Sequence, residues 1–365
     1  MSGRIVHEWL AKTGGSENVV EALAAVFPDA PITSLWDDLP SRFEDGRVSE
    51  TWLARTPLRR SKALALPFMP LVWRTLPRAE ADWILCSSHL FSHHARFAGQ
   101  ARTAPKYVYV HTPARYIWAP ELDGRGNGIA ARALSVPLKA LDKRRAQEAV
   151  SIAANSEFIR QRVAQAWDRD STVIYPPVSV GAYAHNSEDE LTSEESDLLA
   201  SLPDTYLLAA SRFVPYKRLD VAIAAGAATG VKVVLAGSGP DEPRLRALAD
   251  EHPGLVTFVP RPSFALLNQL FRRALVYIFP PIEDFGIMPV EAMATGTPVI
   301  ANAIGGAAES VTNGHTGALL HSFDPSALRA AVDLASRADP AACVARAWEF
   351  DVSVFNSKIK NWVQP

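Results

Sequence analysis

The sequence predicts an α/β protein built from two domains, each a parallel sheet with helices on both faces. Three observations carry that prediction. Short apolar runs alternate with helix-length amphipathic segments along the chain, the pattern of parallel strands joined by crossover helices. A chain of 365 residues is long for one core and comfortable for two. Residues 187–197 then break the alternation with six acids and no base, which reads as a solvated loop or helix start near a domain boundary.

In the first half, Arg4 to Trp9 reads as the opening strand, and the pair Gly14-Gly15 opens a helix from Ser16 through Phe27. Further strands are expected at Trp83 to Ser87, Tyr107 to His111, Ser151 to Ala154 and Thr172 to Tyr175. The second half is more regular. Tyr206 to Ala210, Val231 to Ala236, Val256 to Val259, Ala274 to Phe279 and Pro298 to Ala301 are nearly continuous apolar runs, as expected of strands buried on both faces. The tail, Trp348 to Val363, reads as helical.

Composition narrows the function. Hydrophobic content of 48% and charge of 21% describe a globular chain. A net charge of −2 with no basic helix or zinc spacing gives no reason to expect nucleic acid. Cys86 and Cys343 make no CxxC pair, and Met1-Ser2-Gly3-Arg4 does not open a signal peptide, so a reduced cytoplasm is expected. No run of eighteen apolar residues is present to span a membrane. From Trp52 to Arg78 there are six bases, no acids and many apolar residues. This segment reads either as a helix packed on the first domain or as a surface for an anionic membrane.

The most informative stretch is Phe279 to Glu309. There an apolar strand end is followed by Glu283, Gly286, a short helix carrying Glu291, a second strand and the pair Gly305-Gly306. Glycine lets backbone approach a ligand, a helix start offers N–H groups to an anion, and carboxylates accept from hydroxyls. That combination suits a phosphorylated sugar, although spacing alone also fits a strand-loop-helix with two solvated acids. Arg212 and Lys217, five positions apart after a strand end, can reach one phosphate together. Gly14, Gly15 and Gly237 sit at other strand-to-helix turns, and no GxGxxG follows the first strand. His89, His93 and His94 suggest metal binding but have no carboxylate nearby in the sequence.

Several segments together resemble the retaining glycosyltransferases of family four, which have the GT-B fold. They are Glu283-Asp284-Phe285-Gly286 with Glu291, Gly296-Thr297-Pro298-Val299, Gly305-Gly306, Ser211 through Arg218, and Ala236-Gly237-Ser238-Gly239-Pro240. His7-Glu8-Trp9, Gly14-Gly15-Ser16-Glu17, His111 through Trp118, Ala154-Asn155-Ser156 and Tyr175-Pro176-Pro177-Val178 also fit. The likeness is greatest to bacterial mannosyltransferases of O-antigen and exopolysaccharide assembly.

The resemblance implies two Rossmann-like domains facing each other across a cleft. Residues 1–180 would bind the acceptor, 181–345 the nucleotide-sugar, and 346–365 would form a helix crossing back to the first domain. It assigns His111, Arg212, Lys217 and Glu283 to catalysis. Donor contacts are expected from Gly14, Gly15, Arg212, Lys217, Gly237, Arg261, Glu283, Asp284, Phe285, Gly286, Ile287 and Glu291, with Glu291 on the ribose hydroxyls and Glu283 on the sugar. Arg115, Tyr116 and Trp118 are expected on the acceptor side. No metal or cofactor is expected. The co-substrate would be GDP-mannose, or alternatively a UDP-sugar, and the acceptor a glycan or lipid-linked saccharide. The enzyme would then work in the cytoplasm, at the inner face of the membrane. An epimerase of the same fold, which needs no acceptor, and a non-catalytic scaffold are the rival readings.

Overall fold

The structure, a computed structural model, describes residues 2–119 and 129–363. The chain forms two compact units. One comprises residues up to Pro177 together with those from Ser353 onward; the other is Val178–Val352.

The first unit holds a seven-stranded sheet in the order β3-β2-β1-β4-β5-β6-β7. Its strands are β1 Gly3–His7, β2 Ile32–Ser34, β3 Val48–Glu50, β4 Trp83–Ser88, β5 Lys106–Val110, β6 Ser151–Ala154 and β7 Thr172–Val173. Every pair is parallel. The largest buried side chains of its core include Trp36, Trp73, Trp167 and Phe91. Sequence reading missed β2 and β3. Each has three residues, too few to show a period.

The second unit holds a six-stranded parallel sheet in the order β10-β9-β8-β11-β12-β13. The strands are β8 Tyr206–Ala210, β9 Lys232–Ala236, β10 Val256–Val259, β11 Val276–Phe279, β12 Val299–Asn302 and β13 Gly317–Leu320. All residues of β8, β11 and β12 are buried, which is why these strands read as unbroken apolar runs.

In each sheet the strand order reverses at one place, between β1 and β4 and between β8 and β11. Ligands of open α/β sheets bind outside the carboxyl ends of the strands at such a switch point.

Three expectations are refined. The acidic segment is a helix start. Thr192 caps the helix Ser193–Ser201 through a capping box with Glu195, so acids in its first turn meet the positive end of the helix dipole. The basic segment folds into four short helices, Trp52–Arg55, Pro57–Arg60, Lys62–Ala65 and Met69–Arg74. They bury Leu53, Met69, Val72 and Trp73 but leave Trp52, Leu64, Phe68 and Leu71 exposed.

The tail is not one helix. Pro340–Trp348 belongs to the second unit, and Val352–Val363 follows. Between them the chain pairs with the earlier linker, Val352 N donating to Val178 O at 2.9 Å. The last helix packs on the first unit. Trp362 Nε1 donates to Ser151 Oγ at 2.7 Å, and Phe355 meets the Tyr109 ring edge-on. Among the described residues no helix is long and apolar enough to cross a membrane. Both cysteines are free and buried.

Candidate active site

At the switch point of the second sheet, three strand ends are tied to each other by main-chain bonds. Ser211 N donates to Ala236 O, Phe213 N to Ser238 O, and Gly237 N to Val259 O. Gly237 has φ of 136°, and a Cβ there would fall 1.9 Å from Ser211 O, so no other residue fits this close approach. Ser211, Arg212, Gly237, Ser238, Arg261 and Met288 help line a cavity of about 280 Å3. Arg261 is held left-handed at φ 45°, with Nε donating to Ser238 Oγ at 3.3 Å. Such backbone is costly for a side-chain-bearing residue and gathers at functional sites.

Lys217 and Glu283 meet directly. Lys217 lies on the turn Pro215–Lys217 after β8, and Glu283 on the loop after β11. Their Nζ and Oε1 atoms are 2.6 Å apart, with side chains only 13% and 17% exposed. The second glycine pair holds that loop in place. Gly306 N donates to Glu283 O at 2.8 Å, and a Cβ on Gly306 would lie 2.1 Å from Asp284 O. Asn302 Nδ2, at the end of β12, donates to Pro280 O at 3.0 Å.

Arg212 is exposed, and its Nη2 reaches Tyr216 OH at 3.3 Å. No carboxylate pairs with it among the described residues. By contrast Arg218 is occupied by Asp220 at 3.1 Å.

Gly286, at φ 89°, starts the helix Ile287–Ala294. Its left-handed backbone turns the chain from the loop bearing Glu283, Asp284 and Phe285 into the helix bearing Ile287 and Glu291. Burial raises the Glu291 carboxyl to about 7, partly opposed by a hydrogen bond from Tyr183. Tyr183 was not picked out from the sequence. It lies on the five-residue helix Val180–Ala184, outside every recognised motif.

The switch point of the first sheet is lined by imidazoles. Ser87 Oγ, near the end of β4, lies 3.1 Å from His7 Nδ1 and 2.8 Å from His111 Nε2. The His89 ring lies 5.5 Å from His7 and 6.1 Å from His111. Burial lowers His7 and His111 to about 3 and His89 well below its ordinary value, helped by Arg42 at His7, by His7 at His111, and by His7 and His111 at His89. All three are neutral at pH 7. A neutral imidazole at His111 can donate or accept a hydrogen bond.

Gly14 precedes the helix Gly15–Val26, and a Cβ on it would lie 2.2 Å from Glu17 Oε2. Glu17 is buried and accepts from Ala11 N and Ser16 Oγ. Glu8 Oε1 accepts from Leu90 N and Ser92 N at 2.9 and 2.7 Å. Thus Ser87, which joins His7 to His111, is a structural partner that a strand-end motif hints at but does not specify.

Arg115, Tyr116 and Trp118 occupy the short helix Arg115–Trp118. The Trp118 indole is committed, donating to Asp142 Oδ2 at 2.7 Å. Asp142 also corrects the view that the histidine cluster lacks a carboxylate: the fold brings one from 48 residues away. His93 and His94 Nε2 lie 3.1 and 3.0 Å from its Oδ1, while the Trp167 indole donates to Oδ2 at 2.7 Å. Burial pushes this carboxyl up, but the histidines outweigh it and hold it below the usual range. The three residues have metal-ligand chemistry, although the carboxylate is already met by four N–H-bearing rings. His89 stands apart from them, at the switch point.

An Asp-x-Asp spacing occurs at Asp168-Arg169-Asp170. It lies before β7, at the amino end of the sheet. Both carboxylates are exposed and pair with Lys143 and Arg160.

Two doubly wound parallel units with ligand-ready switch points define the class: this is a GT-B architecture. Residues 13–181 match the family model described as Glycosyltransferase Family 4, and residues 193–343 match Glycosyl transferases group 1.

A D-inositol 3-phosphate glycosyltransferase of Mycolicibacterium smegmatis is 32% identical over 203 residues, 52% of this chain and 46% of that protein. Another, from Streptomyces coelicolor, is 45% identical over 74 residues, 20% of this chain and 16% of that protein. The first of these matches spans about half the length of the curated relative. Among solved structures, HepE of Anabaena in complex with UDP-glucose superposes with a TM-score of 0.72 at 20% identity, covering 99% of both chains. WaaG, a glycosyltransferase involved in lipopolysaccharide biosynthesis, gives 0.65 at 14% identity, covering 99% of each.

Proposed function

We propose that the chain is a retaining hexosyltransferase that moves a sugar from a nucleotide diphosphate onto a glycan or lipid-linked saccharide in cell-surface polysaccharide assembly. The observation that carries this reading is the 2.6 Å approach of Lys217 to Glu283. In a nucleotide-sugar, the phosphate and the sugar ring are bonded neighbours. A cation for one and a carboxylate for the other must therefore also be neighbours.

Negative charge grows on the diphosphate as the glycosidic bond breaks. Arg212 and Lys217 stabilise it, and preorganised charges of this kind are worth more in a site that excludes water. Glu283 and the backbone of Asp284 to Ile287 orient the sugar, and Glu291 accepts from the ribose hydroxyls. The base lies in the cavity between Gly237 and Arg261. Attack comes from the same face, with the departing phosphate taking the acceptor proton, so no covalent nucleophile or divalent ion is assigned. His111 donates or accepts a hydrogen bond to the sugar, and Gly14 and Gly15 let backbone amides approach the phosphates. Arg115, Tyr116 and Trp118 lie on the acceptor side.

GDP-mannose is the donor to which the motif resemblance points. A UDP-sugar is the second reading, favoured by the likeness to HepE, which was solved with UDP-glucose. A thermal-shift screen separates them, because a ligand that binds only the native state raises its melting temperature. GDP-selective stabilisation supports the first and UDP-selective stabilisation the second. Response to neither removes the donor site. Incubating donor without acceptor distinguishes transfer from epimerisation.

The enzyme works at the cytoplasmic face of the membrane, docked through exposed Trp52, Leu64, Phe68 and Leu71 beside Arg55 and Arg60. Flotation with anionic vesicles tests this. Binding that persists in Arg55→Glu/Arg60→Glu would remove the electrostatic part of that docking.

A further inference from the structure

We propose that the first unit carries a second anion site, a pocket for a phosphoryl group at the amino ends of β4 and β5. Arg74, Arg96, Arg102 and Lys106 line a cavity of about 250 Å3 together with one acid, Glu148. Four bases against one acid leave a formal surplus of three positive charges.

The single carboxylate is already fully engaged. It receives Arg74 at 2.7 Å, Lys106 at 3.1 Å and Arg145 at 2.8 Å. Although partial burial pushes Glu148 up, these three bases hold it down at about 2, so it stays ionised at any physiological pH. Nothing remains for Arg96 and Arg102. Both are exposed, and neither side chain has an ion pair or hydrogen bond among the described residues. Lys106, by contrast, is buried, and its Nζ is fixed by His93 O at 3.0 Å as well as by Glu148. Repulsion from Arg145 and Arg96 also bears on Arg74, after the larger effect of its own burial.

Gathering cations around a buried ammonium is unfavourable unless counter-charge arrives. Planar guanidiniums at the rim and a fixed ammonium at the floor match the oxygens of a phosphate monoester. The cavity is of a size for phosphate with a small attached group. It is separate from the switch point. Lys106 opens β5 and His111 follows its end, five residues or about 17 Å along the strand. The ligand class is therefore a phosphate monoester, supplied either free or as a phosphatidic-acid headgroup.

The test uses the full chain in low-salt buffer with inorganic phosphate as probe. It is run in an Arg212→Ala/Lys217→Ala background, so that the diphosphate site in the other unit contributes nothing. Saturable thermal stabilisation by phosphate, beyond that of chloride at matched ionic strength, is expected. It should weaken by about tenfold or more in affinity when Arg96→Ala/Arg102→Ala is added, both being surface changes that leave packing intact. Flotation with phosphatidic-acid vesicles, compared with phosphatidylcholine alone, identifies the source. Capture that depends on Arg96 and Arg102 assigns the lipid headgroup, and a response confined to soluble phosphate assigns the free ligand. Equal phosphate response with and without the two arginines overturns the proposal. So does failure of both probes to bind.

Discussion

The two sheets reverse strand order at equivalent places, β1 beside β4 and β8 beside β11, yet they fill those places with opposite chemistry. The first presents His7, His89 and His111, all neutral, with Ser87 linking His7 to His111. The second presents Lys217 against Glu283, with Arg212 lacking a carboxylate partner among the described residues. The same topology thus supports a cluster of neutral imidazoles in one unit and a charged cradle in the other. Topology chooses where a ligand binds, and the loop residues choose what charge it carries.

The largest expected effect tests the charged cradle. Lys217→Ala should cut sugar transfer by roughly 100-fold or more, the scale of losing one preorganised charge, while the circular-dichroism spectrum is unchanged. Turnover within twofold of wild type would remove Lys217 from the chemistry. Next, Gly237→Val tests whether the cradle depends on its tight turn. A Cβ 1.9 Å from Ser211 O at φ 136° cannot be accommodated without moving β8 from β9. A loss of about 2–4 kcal/mol in urea unfolding is expected, and a cost under 0.5 kcal/mol would contradict the geometry.

Among the neutral imidazoles, Ser87→Ala should lower kcat by about tenfold, the scale of mispositioning a single hydrogen-bonding group, since it frees both His7 and His111. An unchanged kcat would make the Ser87 bridge purely structural.

Acid should separate the units further. His7, His89 and His111 titrate below their ordinary 6.5 in the fold, so the unfolded chain binds more protons as pH falls. Their contribution to stability is complete above 6.5 and is lost towards 3. Glu8, raised by burial in the same unit, opposes this, while His94, lowered to about 4 mainly by burial, adds to it. Glu291 in the second unit runs the other way. Its carboxyl is raised from 4.5 to about 7, so the fold gains stability as pH drops through 7 towards 4.5. Hydrogen exchange at pH 5 should show β1, β4 and β5 losing protection before β8 and β11, and the reverse order would contradict the imidazole account.

The smallest effect is the pH dependence of nucleotide binding. Ribose binding by Glu291 should strengthen as pH rises through about 7 and become flat in Glu291→Gln. A wild-type profile already flat from 6 to 8 would count against the ribose role.

The charged site was far more legible in the sequence than the neutral one. Strands β8, β9, β11 and β12 stand out because burial on both faces leaves unbroken apolar runs, and Arg212, Lys217 and Glu283 follow directly at their ends. The short β2 and β3 carry no readable period, and the four-residue β13 went unnoticed. Asp142, which gathers His93 and His94, comes from a helix 48 residues downstream. Tyr183, which bonds Glu291, comes from an unremarked turn of helix. Contacts of that kind depend on the packing of distant segments, which local pattern does not encode. The boundary of the last helix shifted for a similar reason, since residues near Asp351 are claimed by pairing with Val178.

The central claim, that Arg212 and Lys217 hold the leaving diphosphate, is tested most directly by calorimetric titration of GDP and UDP into wild type and Arg212→Ala/Lys217→Ala. The account predicts that whichever nucleotide binds wild type loses about 100-fold or more in affinity when both cations are gone, two charge-assisted contacts at roughly 1.5–3 kcal/mol each. Equal affinity in the two proteins would contradict it.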